Sequence, residues 1–374
     1  MANPFSDILQ TIQSALGGLL PKSAPNGSVA GIDIGSSSIK VVQMKKEKGS
    51  IVLETYGEAA LSPYMKEPIG ASVIATPEVI ITALKDLFKE AHITAKSFVL
   101  SLPSQSSLIF MLTLPKVSEG NLATIIPNEA RKFIPVPLDE IALDYMVIPS
   151  RQTYDDEVAG KELSIEVLVV AVRNDIVSQY QNITNMAGLS PYEFEIEPFS
   201  LIRSGFHHEI TPTMVIDVGA KSTRIFIVEY GVVQMFHVIN RGSMFITEML
   251  MRTMNISFEK AEELKRTYTK HQAVDLQLVQ KTINDGVDYL LTSSDAVLLQ
   301  YQRDSQKLVQ KIILSGGGVL LQGFQETIEQ HFKIPTQMIT SFDKSQTPEF
   351  LREVLADGSP IFGVASGLAL KKFL

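Results

Sequence analysis

The sequence predicts an α/β protein of two duplicated lobes with a cleft between them. Its first support is a repeat: strand, tight turn and strand at residues 29–34, 35–38 and 39–44 return at 214–218, 219–222 and 223–230. Across the repeat Asp33 matches Asp217, Gly35 matches Gly219, Ser38 matches Ser222 and Lys40 matches Arg224. A second support is the alternation of strand and helix patterns in each half, the mark of an α/β layer architecture. Composition is the third. The chain has 374 residues, 45% hydrophobic and 20% charged, apolar enough to fold. At roughly 100–200 residues per domain it is long enough for two or three domains.

Taken in order, residues 1–28 read as an amphipathic N-terminal extension and linker. Phe5, Ile8, Ile12, Leu16, Leu19 and Leu20 recur at three- and four-residue steps and give a helix with one apolar stripe. Without a basic n-region or an unbroken apolar run, no secretory leader is expected. The stripe packs on its own domain or on a second copy, with a weak membrane-surface or partner-docking role as the alternative.

The first lobe spans 29–212. After strands 29–34, 39–44 and 51–56, Thr76 caps a helix at 77–91 with Pro77 in its first position, and Pro103 closes a strand at 97–102. An inserted αβ subdomain follows at about 103–191. Its helix starts at Ser118, turns Ile125, Ile126, Ala130 and Phe133 inward, and bends at Pro127. Strands 141–148 and 163–172 form a hairpin around the charged loop 151–161, and a helix from Asn174 ends at Gly188. The second lobe, 213–345, carries a mostly helical part at 241–310, a strand at 312–315, a helix near 324–332 and a strand near 337. Residues 346–374 return to the first lobe through a helix at 362–373.

Several function classes fall away. Thirty-three basic against 41 acidic residues give a net charge of −8, so no nucleic-acid partner is expected. Zero cysteines exclude disulfides and thiolate chemistry, and the six histidines form no H-E-x-x-H. No window reaches the ~18–20 apolar residues of a membrane-spanning helix.

The chemistry lies in the turns. Gly35 lets the chain reverse after Asp33, and the N–H groups and hydroxyls of Ser36, Ser37 and Ser38 form a nest for anionic oxygens. Lys40 adds a positive charge, and Asp33 can orient waters around a divalent ion. A Ser-rich hairpin alone is usually just a hairpin. Its second copy, Gly219, Ala220, Lys221, Ser222 and Thr223 after Asp217, changes this. Two such turns, one per lobe, can grip a polyphosphate with a cation between Asp33 and Asp217. No Walker sequence competes.

Gly316, Gly317 and Gly318 follow a strand and let the main chain lie against a ring or ribose, with the next helix offering its N–H groups to phosphate. Glu262, Lys265 and Arg266 share one helix face. That face is either a solvated ion-pair stripe or a nucleoside site, in which Glu262 accepts from ribose hydroxyls and the two cations sandwich the base.

In this order and spacing, the four elements resemble the actin-like (ribonuclease H-like) ATPase fold of actin, the sugar kinases and the heat-shock ATPases. The segment 195–203 resembles that fold's first connecting helix and 363–370 its second. Within the insert, residues 114–119, Glu129–Glu140 and Leu143-Asp-Tyr145 resemble the PilM family of the type IV pilus platform. FtsA carries a comparable insert but ends in a linker and a membrane helix. This chain stops at Leu374, which favours the PilM-like expectation.

The resemblance implies ATP and Mg2+ in the cleft, with Asp33 and Asp217 holding the metal through water. It implies at most slow ATPase activity, with Glu197 orienting the water. Glu197 reads equally as a helix N-terminal carboxylate stabilised by the dipole. The implied partner is the N-terminal cytoplasmic tail of PilN, docked between insert and first half. Other pilus platform proteins, assembly ATPases and self-association follow as further expectations, at the inner face of the cytoplasmic membrane and held there mainly by partners. An FtsA- or MreB-like filament and a small-molecule kinase of the superfamily are the alternatives. Lys221 departs from the small residue usual in relatives, and the N-terminal extension lies outside the shared pattern.

Overall fold

The structure, a computed structural model, describes residues 27–115, 119–148, 164–189, 191–207, 209–267 and 275–374. The expected N-terminal helix, the loop 151–161 and the helix start at Ser118 lie outside the described residues.

Strands β1 (Val29–Ile34), β2 (Ser38–Glu47), β3 (Ser50–Ala60), β4 (Ser97–Leu102) and β8 (Pro191–Ile196) make one sheet in the order β3-β2-β1-β4-β8. Strands β9 (Thr213–Val218), β10 (Thr223–Glu229), β11 (Val232–Ile239), β12 (Lys311–Ser315) and β13 (Thr336–Met338) make another, ordered β11-β10-β9-β12-β13. In both, the first three strands run antiparallel and the last two join in parallel. The sequence repeat is therefore a repeat of topology. Its central strands β1 and β9 are buried at every position, because layers cover both faces.

A third sheet, β5 (Ser107–Pro115), β6 (Ile141–Ile148) and β7 (Ser164–Arg173), is antiparallel in the order β5-β7-β6. Side chains alternate across it. Val167, Val169 and Ala171 pack under Leu122, Ile126 and Ala130 of the helix Glu119–Ala130. Leu168, Met146 and Ile148 face Phe226 and Val233 of the second sheet. Phe133 is not an inward residue of that helix. It lies three residues past the helix end, 55% exposed, stacked on Phe110 with ring centroids 5.0 Å apart.

Number the helices α1 (Pro77–Glu90), α2 (Glu119–Ala130), α3 (Asn174–Met186), α4 (Glu197–Gly205), α5 (Ser243–Met254), α6 (Phe258–Thr267), α7 (Leu276–Ser305), α8 (Phe324–Phe332) and α9 (Arg352–Leu370). Tyr180 and Ile183 of α3 share a core with Ile80 and Leu84 of α1 on the first sheet, whereas the sequence grouped this helix with the insert. Helix α9 starts ten residues before the expected 362, with Pro360 inside it. A proline there lacks the N–H for its helical bond. Its own carbonyl accepts instead from Gly316 N at 2.8 Å, tying the helix to the glycine triplet.

Helices α4 and α9 cross at backbone contact. A methyl group on Gly367 would fall 1.9 Å from Ser200 O, and one on Gly363 2.7 Å from Leu201. Ser204 Oγ donates to Gly363 O at 2.8 Å and Arg203 Nη1 to Gly367 O at 3.0 Å. On the other side α9 presses on β1, where a methyl on Gly31 would fall 2.1 Å from Ala365 O. Beneath the crossing lies a buried ion network. Arg203 grips both oxygens of Glu195, each at 2.7 Å, and Lys371 pairs with Glu193 and Glu195.

Candidate functional site

Both turn hairpins open onto one cavity of about 550 Å³, a size typical of small-ligand sites. Asp33 stands directly opposite Lys40 in the β1–β2 register, and Asp217 opposite Arg224 in the β9–β10 register. Gly35 N donates to Ser38 O at 3.0 Å and Gly219 N to Ser222 O at 2.9 Å. A methyl on either glycine would press on the carbonyl it faces at 3.1 Å. The two turns are built alike.

Each turn is also pinned from behind. Ser36 O accepts from Val73 N and Ser37 O from Leu61 N, both at 2.9 Å. Gly219 O accepts from Ser243 N at 2.9 Å and Ala220 O from Met244 N at 3.0 Å. A trans peptide holds its C=O and N–H on opposite edges. The pins fix these peptide planes and leave the N–H groups of Ser37, Ser38, Ala220 and Lys221 on the edges opposite the pinned carbonyls, in residues that line the cavity. Gly242 makes room for the second pin, since a methyl there would lie 2.3 Å from Gly219 O.

Arg224 joins the lobes at the cavity wall. Its Nη1 reaches Asp217 Oδ2 and its Nη2 reaches Glu197 Oε1, each at 2.5 Å, while Nε donates to Ser104 Oγ at 3.0 Å. Ser104 in turn donates both its backbone N–H and its hydroxyl to Glu197 Oε2. Gln105 Nε2 donates to Ser222 Oγ across the cleft. Burial pushes the Glu197 carboxyl up, against the pull of Arg224. Burial alone would lower the Arg224 guanidinium, but Glu197 and Asp217 hold it well above its ordinary value. Asp33 accepts from Ser101 Oγ at 2.9 Å.

On the helical side, Glu262 accepts from Arg266 Nε at 2.8 Å, and from Thr247 Oγ1 and Lys265 Nζ at 2.7 Å. Lys265 is turned inward, also reaching Ser243 O at 3.2 Å and Thr247 Oγ1 at 2.8 Å. Burial opposes the Glu262 charge, yet Lys265, Thr247 and Arg266 hold its carboxyl below the usual carboxylate range. The face is an ion-pair network in which Glu262 and Lys265 are buried and Arg266 is exposed.

The three glycines divide their work. Gly316 has φ +87° and no room for a side chain, because a methyl would lie 2.4 Å from Val218 O. A methyl on Gly318 would lie 2.4 Å from Val218 Cγ1, whereas Gly317 faces open space. Two glycines thus pack the turn on β9, and Gly317 presents bare backbone to the cleft. A short turn, Gly317–Leu320, separates this point from α8. The N-terminus of α8, offered to phosphate in the sequence reading, is not among the cavity-lining residues.

Asp33, Gly35, Ser36, Ser37, Ser38, Lys40, Glu197, Asp217, Gly219, Ala220, Lys221, Ser222, Glu262, Lys265, Arg266, Gly316, Gly317 and Gly318 all line this cavity. Thr223 does not. It is fully buried and donates its hydroxyl to Arg241 O at 2.9 Å, because its side chain leaves the opposite face of β10 from Arg224. Sequence reasoning left Arg224, Ser104 and Gln105 out of the site. For Arg224 the signal existed, since it holds the repeat position of Lys40; Ser104 and Gln105 carry no local pattern.

Duplicated sheets, paired turns and two crossing helices define the class: an actin-like ATPase fold. MreB 5 of Spiroplasma citri bound to AMPPNP shares it at TM-score 0.51 and 11% identity, over 94% of this chain and 97% of that one. The family model for type IV pilus assembly protein PilM matches residues 31–373, and the chain belongs to that family. A solved PilM-PilN type IV pilus biogenesis complex aligns at TM-score 0.77 and 22% identity, covering 93% of this chain and 99% of that chain. Cell division protein FtsA of Enterococcus faecalis is 23% identical over 349 residues, 83% of this chain and 78% of that protein.

Proposed function

We propose that this PilM-family chain is an ATP-binding adaptor of the type IV pilus inner-membrane platform. It receives the N-terminal cytoplasmic peptide of PilN in a nucleotide-dependent way. One observation carries the reading: two like turns, each pinned by its carbonyls, with its N–H groups in residues that line one cleft. Those N–H groups and Lys40 would take the phosphates, and Gly317 would lie against the nucleoside. Asp33 and Asp217 offer hard oxygen donors that would hold Mg2+ through its waters, and Mg2+ would neutralise phosphate charge there. Three donors converge on Glu197, so turnover without partners is expected to be slow. Among the described residues, no helix is long and apolar enough to cross a membrane. Docking to PilN would hold the protein at the membrane's inner face.

Binding is tested by thermal stability. Mg-ATP at about a hundred times its Kd adds about 2.7 kcal/mol to a protein that binds it only when folded. Gly317→Leu puts its side chain into open space and should keep the ligand-free melting temperature while losing this shift. A wild-type protein unmoved by millimolar Mg-ATP would sink the reading. With nucleotide, a PilN tail peptide should bind more tightly than without it.

The peptide groove in this reading is the cleft between β6 and the first lobe. It is lined by Ala142, Asp144, Met146, Phe194, Ile196 and Phe199. Burial raises the Asp144 carboxyl to about 7, against the Tyr145 N–H and Lys371 and with help from Glu193. Between the ordinary 3.8 and about 7 the folded protein keeps a proton that the unfolded chain has lost. Stability therefore falls as pH rises through that window. Asp144→Asn should remove this fall and gain ~1–3 kcal/mol above it. Urea melts of both proteins on either side of the window decide the matter; parallel pH profiles would refute it.

A further inference from the structure

We propose that Arg224 is the cleft's own cation for the terminal phosphate of a nucleoside triphosphate, so that binding persists without a divalent ion. The inference rests on the nucleotide reading above and deepens it.

Position comes first. The cavity lining holds Lys40, Lys221, Arg224, Lys265 and Arg266 against Asp33, Glu58, Glu197, Asp217 and Glu262. Five charges meet five in a chain whose net charge is −8. Arg266 and Lys265 are committed to Glu262 on the nucleoside side. The phosphate side keeps Lys40, Lys221 and Arg224. Lys40 lies 4.0 Å from Glu58, and Lys221 is exposed at the tip of its turn.

Arg224 differs from both. A methyl on Gly219 would sit 3.8 Å from Arg224 Nη1, just as one on Gly35 would sit 3.7 Å from Lys40 Nζ. Each cation thus reaches over the glycine of its own turn. Arg224 alone of the three also touches the carboxylates of both lobes, Asp217 and Glu197. It lies between Asp217 and Glu197, beside the acid that the second turn would offer to a divalent ion. A guanidinium has five fixed donors and takes phosphate oxygens two at a time.

Two carboxylates around one cation leave Glu197 as the exchangeable partner. Asp217 is bonded to Arg224 within one hairpin, in direct register. Glu197 comes from the other lobe and has Ser104 as a second partner. A phosphate oxygen arriving at the second turn competes with Glu197 Oε1 for Nη2, while Ser104 stays bonded to Glu197 Oε2. The incoming charge meets a guanidinium already in place, at the cost of its pair with Glu197.

The test is a fluorescence titration of the full chain with MANT-ATP, once in Mg2+ and once in EDTA. Wild type should lose less than about tenfold in affinity on removing the metal, that is, less than about 1.4 kcal/mol. Arg224→Met strands both Asp217 and Glu197 and risks unfolding, so the decisive variant is Arg224→Gln with Glu197→Gln, which keeps an amide donor for Asp217, its fold checked by melting temperature. This double variant should lose well over tenfold in EDTA while binding in Mg2+. A wild type that loses tenfold or more, or a double variant with the wild-type ratio, overturns the role of Arg224 and leaves the nucleotide site standing. Absence of MANT-ATP binding in both buffers overturns the site and this inference together.

Discussion

Gly367→Ala is expected to be the most damaging single methyl in the molecule. The new carbon would fall 1.9 Å from Ser200 O, and the obstacle is backbone, not a side chain that can swing away. Helix α9 would have to rise off α4. That motion strips the bonds from Ser204 to Gly363 and from Arg203 to Gly367, and it meets β1 behind, where Gly31 already touches Ala365. Overpacking a tight core costs about 1–3 kcal/mol and sometimes more; with backbone on both sides the upper end is expected. Gly358→Ala is the internal control on the same helix, because its nearest neighbour is a Phe362 ring atom at 3.8 Å. There the exchange should gain about 0.5–1 kcal/mol from helix propensity alone. Urea melts of the two variants should move in opposite directions. If both move alike, the crossing is not held by this contact.

Arg203→Met should cost as much or more. Glu195 is buried, its two oxygens held by Arg203 at 2.7 Å and one of them 3.5 Å from Lys371. Burial would raise its carboxyl, but Arg203 and Lys371 overcome this and hold it below its ordinary 4.5. Removing one partner of a buried pair typically costs about 3–5 kcal/mol. The sign with pH is definite. A depressed carboxylate adds stability above its unfolded value, lost as pH falls through the folded one. Wild type and variant should therefore differ most near neutrality and converge in acid. A gap that widens on acidification would show that Glu195 is not the group left stranded.

The legible part of the molecule was the part written twice. Asp33 and Asp217, Gly35 and Gly219, Ser38 and Ser222 declared two hairpins, and the registers of both sheets agree with that repeat. What escaped was written once or depended on distant chain. Strand β8 reads as Pro-Tyr-Glu-Phe-Glu-Ile, a surface alternation, because the cations that bury Glu193 and Glu195 lie at Arg203 and Lys371. The first ten residues of α9 were hidden by Gly358 and Pro360, which argue locally against helix. The tertiary bond from Gly316 to Pro360 O runs the other way. At the site, the turns were visible but their occupants were not. Arg224, Ser104 and Gln105 meet only after two lobes fold against each other, and the strand that carries Arg224 points Thr223 elsewhere.

The glycine-to-carbonyl seat of α9 on α4 restricts how these two helices can move against each other. At Gly367 no side chain cushions the contact, so a sideways glide there would drive the Ser200 carbonyl into Cα. The seat is a fixed point, so α9 and α4 move as one piece.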